Sequence, residues 1–229
     1  NIDGTQNIID ACLSSKKKPW LIFASSREVY GNQNILPVSE STPLNPINTY
    51  AKSKLTCEEL IIKACKQGLK AFIARFANVY GGIFDHKDRV IPAFCINAIK
   101  NQDIIIRGND TSLDFIFIDD AVDGISKIIN FIYSNQKKLP PIVNICSGES
   151  ISLEKLAEII ISATKSNSKI AFLPKTTFAV DKFCGNNALA NQLLGWQTKF
   201  TLERGIEKFI ENLNHKTKGC IDLKTINMR

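Results

Sequence analysis

Apolar and polar positions alternate with two different periods along this chain, and the period switches repeatedly. Residues 2–14 place Ile2, Ile8, Ile9, Cys12 and Leu13 among polar neighbours at helical spacing, which predicts an amphipathic helix. Residues 20–25, "WLIFAS", form a continuous apolar run, which predicts a strand buried on both faces. Gly31, Pro37, Pro43 and Pro46 break the pattern over 27–47 and predict a loop. A long helical pattern follows over 48–67, with Asn48 or Thr49 as its cap and Gly68 as its stop. Residues 70–76, "KAFIARF", read as the next strand.

The second half is more mixed. It predicts a helix near 90–100, short strands at 103–106 and 114–118, and a helix over 119–134 opened by Asp119 and Asp120. A strand over 141–146, a helix capped by Ser152, and two closing helices in "LANQLLGW" and "TLERGIEKFIENL" complete the order. Residues 215–229 carry no clear pattern and read as a loose tail. Alternating helices and strands specify the α/β class: a parallel-sheet half, then a mixed α+β half with no linker between.

Composition narrows the choices. The 229 residues are 44% hydrophobic, enough for a full core, yet no run is long enough to span a membrane and no signal peptide opens the chain. The formal charge of +7 is dispersed, apart from Lys16 to Lys18 and Lys137 with Lys138. No basic stripe with interleaved aromatics marks a nucleic-acid face. A solvated lysine-rich surface accounts for most of the charge, with a smaller contribution as a field that draws in a phosphorylated metabolite. The seven cysteines are scattered without a C-x-x-C pair, which argues against zinc or a redox motif and fits a reducing cytoplasm. Asn1 opens the chain within the body of a helix, so a fragment or a truncated gene product is expected.

The candidate chemistry lies in "SSREVYG" and "PINTYAKSK". Tyr50 and Lys54 stand at i and i+4, one turn apart on one helical face. A phenol titrates near pH ~10 and is a poor base at neutrality. A fixed ammonium beside it favours the phenolate, which can take a proton from a substrate alcohol as hydride leaves the same carbon. Ser26, at the end of the neighbouring strand, can hydrogen-bond the same oxygen. A solvent-facing Tyr–Lys pair is the bland alternative, and "SSREVYG" upstream weighs against it. His86, with Asp85 and Asp88, lacks a second imidazole for a metal and reads as part of a loop over the substrate entrance.

These segments resemble the extended short-chain dehydrogenase/reductase family, the NAD-dependent nucleotide-sugar epimerases and dehydratases. "NIDGTQNIIDAC", "SSREVYG", "NPINTYAKSKLTCEEL", "RFANVYG", "DRVIPAF", "DFIFIDDAVDGI", "VNICSGESISLEKLAEII" and "LLGW" follow in the family's order over roughly residues 1–210. The resemblance implies a partial doubly wound Rossmann-type parallel sheet followed by a smaller mixed substrate-binding region. Residues 1–80 would carry the catalytic groups, 81–214 mainly the substrate region with some elements returning to the sheet, and 215–229 the tail. It implies NAD as cofactor, a nucleotide sugar as substrate and a homodimer formed through the helices at 1–14 and 48–67. Leu55, Leu60, Ile61 and Ile62 could line that dimer or face the sheet. By resemblance Ser26 is the catalytic hydroxyl, Tyr50 the general base and Lys54 the holder of the nicotinamide ribose. Phe76 and Asn78 would lie by nicotinamide and sugar, and Arg89 and Val90 by the nucleotide. Ser25 is treated as structural, and Tyr30 and Tyr80 suit packing at least as well as function.

Three departures from the family pattern stand out. The glycine-rich G-x-x-G-x-x-G turn that cradles the cofactor pyrophosphate is not in this sequence, so weak NAD binding by this chain alone is expected. Leu113 stands where the family often shows a diphosphate-binding arginine, leaving Lys175 or Arg107 as substitutes. Arg27 replaces the acid of the dehydratases, while Glu28, their base, is kept. Dehydration needs both groups, so epimerisation at C4 leads, with dehydratase or decarboxylase next and a non-catalytic remnant third.

Overall fold

A computed structural model describes residues 1–82, 84–108, 110–134, 142–175 and 180–226, with side chains described up to residue 214. Lys137 and Lys138, and the side chains of His215 and Cys220, lie outside the described residues. The order is α1 (Ile2–Ser14), β1 (Trp20–Ser26), a 3-10 turn (Arg27–Tyr30), α2 (Thr49–Cys65), β2 (Lys70–Phe76), β3 (Asn78–Tyr80), α3 (Val90–Ile99), β4 (Ile104–Arg107) and β5 (Ser112–Phe117). It continues with α4 (Ile118–Ser134), β6 (Ile142–Ile145), β7 (Ser150–Ser152), α5 (Leu153–Thr164), β8 (Ile170–Leu173), α6 (Ala188–Leu194) and α7 (Leu202–Ile226).

Strands β1, β2 and β6 form a parallel sheet in that order, with Ser26 opposite Phe76 and Phe76 opposite Ile145. The alternation along β2 shows how both faces are covered. Ala71 and Ile73 join Ile9 and Ile61 in a core under α1 and α2. Phe72 and Ala74 face the opposite way into the main core, with Val143, Ile145 and Trp196. The fold is therefore α/β with helices on both sides of a parallel sheet, as the sequence predicts. Beyond it, β5 pairs with β3 in parallel and with β7 antiparallel, and β4 pairs with β8.

The structure corrects several expectations. Strand β1 is not buried on both faces: Ser25 alone of its residues is buried and Ala24 is exposed. Among the described residues it pairs only with β2. The segment after it is not all loop, because Ser26 caps a 3-10 turn by accepting from the Glu28 N–H. Helix α7 runs on to Ile226 where the pattern suggested a loose tail. Strands β3, β7 and β8 are too short for a periodicity to show. Ile61 is fully buried against the sheet, and Leu60 and Ile62 pack against the same core.

One close approach matters for the site. Gly31 holds φ +64°, and a Cβ there would come within 1.9 Å of the Asn45 carbonyl oxygen. The chain leaving β1 and the chain entering α2 are thus in backbone contact.

Candidate active site

Three sequence devices converge at the carboxyl end of β1. The Ser26 hydroxyl accepts from the Glu28 N–H at 3.2 Å, which turns the chain and leaves its own proton free to donate. Asn48 caps α2, its Oδ1 accepting from the Ala51 N–H at 2.8 Å. The other end of that amide donates to Glu28 Oε2 at 2.9 Å. The cap therefore ties the first turn of α2, which carries Tyr50, to the turn after β1.

The result is an open groove lined by Ser26, Glu28, Asn48, Tyr50, Asn78 and Arg89. Tyr50 is 49% exposed and its ring looks into solvent, as a group that meets a substrate must. Lys54 Nζ lies 5.8 Å from the Tyr50 ring centroid and 4.9 Å from that of Phe23. It donates to the Ala24 carbonyl at 2.7 Å. Partial burial holds the Lys54 pKa below the ordinary lysine value, against the pull of Cys57 and Glu58. An ammonium carries three donors, so two remain for a ligand.

A second cavity of about 350 Å³ adjoins the groove and shares Arg27, Glu28, Asn78 and Arg89 with it. Val90, Arg107, Leu113 and Lys175 line only this cavity. Lys175 pairs with Asp181, and Arg89 with Asp85 at 3.2 Å. The Arg27 side chain is buried between the two spaces. Its Nη2 meets Glu28 Oε1 at 2.8 Å, its Nε donates to Asn78 Oδ1 at 3.2 Å, and the guanidinium lies 5.5 Å from the Phe183 ring centroid. Burial lowers the Arg27 pKa, opposed by Glu28 and Asp114 and reinforced by Arg89. Asn78 completes the link by donating to the Asp114 carbonyl at 2.8 Å.

Of the residues singled out in the sequence, Ser26, Glu28, Tyr50, Asn78 and Arg89 share the groove, and Lys54 lies one turn along α2. Arg89, Val90 and Lys175 share the adjoining cavity. Phe76 lines neither; it ends β2 in register with Ser26. Ser25 turns the other way and donates to Glu58. Tyr80 is buried and donates to the Leu202 carbonyl at 3.2 Å. His86 is exposed, 3.6 Å from Asp88, and among the described residues no group of three or more His, Cys, Asp or Glu could hold a metal.

The sequence reading missed three parts. The bridging role of Asn48 was hidden behind its role as a cap. The place of Arg27 between the two spaces is set by tertiary packing. The spacing Tyr50, Lys54, Glu58 continues the same helical stripe and could have flagged the third residue. Glu58 is fully buried, accepts from Ser25, and receives Arg75 Nη2 at 2.6 Å and Nε at 3.0 Å. Arg75 Nη1 donates to the Tyr30 hydroxyl at 3.0 Å, which donates to Asn144 Oδ1 at 2.6 Å. Burial raises the Tyr30 pKa to about 12, partly offset by Arg75.

Comparison with known proteins places the chain in a family. Residues 1–146 match the NAD dependent epimerase/dehydratase family. A putative UDP-glucose 4-epimerase of Methanocaldococcus jannaschii is 30% identical over 223 residues, covering 95% of this chain and 70% of its own length. UDP-glucuronic acid decarboxylase 1 of Danio rerio is 27% identical over 92% of this chain, which spans only 50% of that protein. The fold is shared with a dTDP-glucose 4,6-dehydratase of Streptomyces venezuelae solved with NAD, at TM-score 0.85 and 20% identity over 96% of this chain and 66% of that one. The family match and the Rossmann-type α/β fold are those of the extended short-chain dehydrogenases/reductases. The chain belongs to the NAD dependent epimerase/dehydratase family.

Proposed function

We propose that the protein is an NAD-dependent nucleotide-sugar epimerase acting at C4, in the manner of a UDP-glucose 4-epimerase. The groove that brings Ser26, Tyr50 and Asn78 together, with Lys54 one turn along the Tyr50 helix, carries this reading. Tyr50 takes the proton of the C4 hydroxyl and later returns it. The Ser26 hydroxyl donates to the same oxygen, its proton being free while one of its lone pairs accepts from the Glu28 N–H. The Lys54 ammonium favours the phenolate and keeps two donors for the ribose of the cofactor. NAD, when bound, supplies the acceptor and donor of hydride at C4. Phe76 stands beside the nicotinamide, Asn78 beside the sugar, and Arg89, Val90 and Lys175 toward the nucleotide. Residues 1–80 thus carry the chemistry and 81–214 mainly the substrate, with β6 returning to the sheet.

Glu28 favours a second reading, a lyase of the same family, because it lines the same groove. Its carboxylate is already engaged by Arg27 and Asn48, which supports epimerisation over elimination. The six free cysteines among the described residues support a cytoplasmic enzyme. Exposed Ile2 and Ile8 on α1, a helix joined to α2 by Asn1 and Ser53, support a homodimer through those two helices. No described helix is long and apolar enough to cross a membrane.

The test is incubation with a panel of UDP-sugars at NAD concentrations that saturate even a weak cofactor site. Interconversion at C4 is expected, and its absence for every nucleotide sugar refutes the reading. A 4-keto-6-deoxy or decarboxylated product by mass spectrometry selects the lyase. Tyr50→Phe lowers turnover by ~10²–10⁴-fold with NAD binding retained, and unchanged turnover removes Tyr50 from its role.

A further inference from the structure

Arg27 holds the buried side-chain polar atom that lacks a partner among the described residues: Nη1 meets no acceptor. The rest of the guanidinium is committed, Nη2 to Glu28, Nε to Asn78 and its face to Phe183. A charged N–H removed from water without an acceptor is costly to keep. Such an atom in a wall shared by two binding spaces is suited to a ligand acceptor. Arg27 directly follows Ser26 in the chain and lines the groove of Ser26 and Tyr50, where the reacting carbon must lie. Arg107 and Lys175 line only the adjoining cavity, and Arg107 makes no ion pair among the described residues. On the nucleotide-sugar reading, Arg27 lines the space left for the sugar as well as the adjoining one, whereas Arg107 and Lys175 line only the space left for the diphosphate.

We propose that Arg27 is a specificity residue for a carboxylate on the sugar ring, so that the substrate is a nucleotide hexuronate in preference to a neutral hexose. The inference rests on the nucleotide-sugar reading above. A carboxylate oxygen on Nη1 makes a charge-assisted hydrogen bond, stronger than any that a neutral hydroxymethyl group offers. The negative charge of Glu28 is held by Arg27 Nη2 and Asn48, and Arg89 adds a second cation to the shared wall. Phosphate oxygens are the rival acceptors, and the experiment separates them from the sugar.

Titration calorimetry on the full chain with NAD present would use UDP-glucuronate, UDP-glucose and UDP as probes. The native protein is expected to bind UDP-glucuronate about tenfold or more tightly than UDP-glucose. Arg27→Met abolishes that preference and changes affinity for UDP-glucose and UDP by less than about twofold. Arg27→Lys, which keeps the charge and loses the fork, retains part of it. Equal affinity of the native protein for the two sugars overturns the proposal without need of any variant, and leaves the nucleotide-sugar reading intact. An equal loss for all three probes in Arg27→Met also overturns it, by assigning Arg27 to the phosphates or to the fold. Failure of all three probes to bind the native protein removes the nucleotide-sugar reading and this inference with it.

Discussion

Arg75–Glu58 and Arg27–Glu28 are both arginine–glutamate pairs withdrawn from water, one beneath α2 and one in the wall of the groove. The first is closed. Every arm of Arg75 finds an acceptor in Glu58, Tyr30 or the Glu40 carbonyl, and Ser25 adds a donor to the carboxylate. Burial works against the Arg75 charge, but the hydrogen bonds and charges of Glu58 and Tyr30 outweigh it, and its pKa stands above the ordinary arginine value. The second is left incomplete, with one nitrogen unpartnered, and there burial prevails and lowers the pKa. Identical chemistry thus takes two forms: a saturated network fixes the helix that carries Tyr50, and an unsaturated one stands in the wall of the groove.

The comparison is broken most easily at Glu58. Glu58→Ala leaves Arg75 buried and uncompensated and is expected to cost ~3–5 kcal/mol in guanidinium unfolding. Arg27→Met is expected to cost less than about 1 kcal/mol, because it removes a guanidinium with one unsatisfied nitrogen and leaves a partly exposed Glu28 that still accepts from Asn48. Equal losses would show that the two pairs do not differ in kind.

Asp114 sharpens the contrast on the Arg27 side. Its carboxylate is buried and accepts from Ser147, Gly148 and Gly185, yet burial outweighs those bonds and raises its pKa from 3.8 to about 6. A raised carboxylate binds its proton more tightly in the native state. Stability from this group is therefore present below pH ~4, falls as pH rises to about 6, and is flat above that. Wild type should lose about 2–3 kcal/mol relative to Asp114→Asn across that window, read from unfolding curves at pH 4, 5, 6 and 7. A difference between the two that does not change with pH would assign Asp114 an ordinary titration.

Smaller effects test the edges of the two networks. Tyr30→Phe deprives Asn144 of a donor and Arg75 of an acceptor, at an expected ~1–2 kcal/mol of stability. Asn48→Ala removes one cap and the donor to Glu28, an expected ~1 kcal/mol. It should lower turnover more than a cap removed at Ser152, which lies away from the groove. Equal turnover in the two cap variants would sever Asn48 from the site.

Much of this was legible in the chain itself, for identifiable reasons. Helical and strand periods are local, so α1, α2, β2, α4 and α5 could be placed within a few residues. The Asn48 and Ser152 caps were legible because a cap is a contact between near neighbours. Tyr50 and Lys54 share a face by spacing alone. What escaped depends on neighbours distant in sequence. An apolar run does not disclose how many strands flank it, and so β1 was misread as fully buried. The surroundings of Arg27 come from Asn78 and Phe183, 51 and 156 positions away, and no local pattern records them.

The crossing at Gly31 has a consequence for how this chain could be altered. Residues 31 and 45 are clamped backbone to backbone, and between them only Val38 is buried. The stretch forms a closed ring held from within by Asn32, Val38 and Glu40, with Ile35 at 82% exposure on its rim. Extra residues or a reporter tag spliced in at Ile35 would swell the ring outward while the clamp held the start of the tyrosine helix in place. The same splice beyond Asn45 would push directly on that helix.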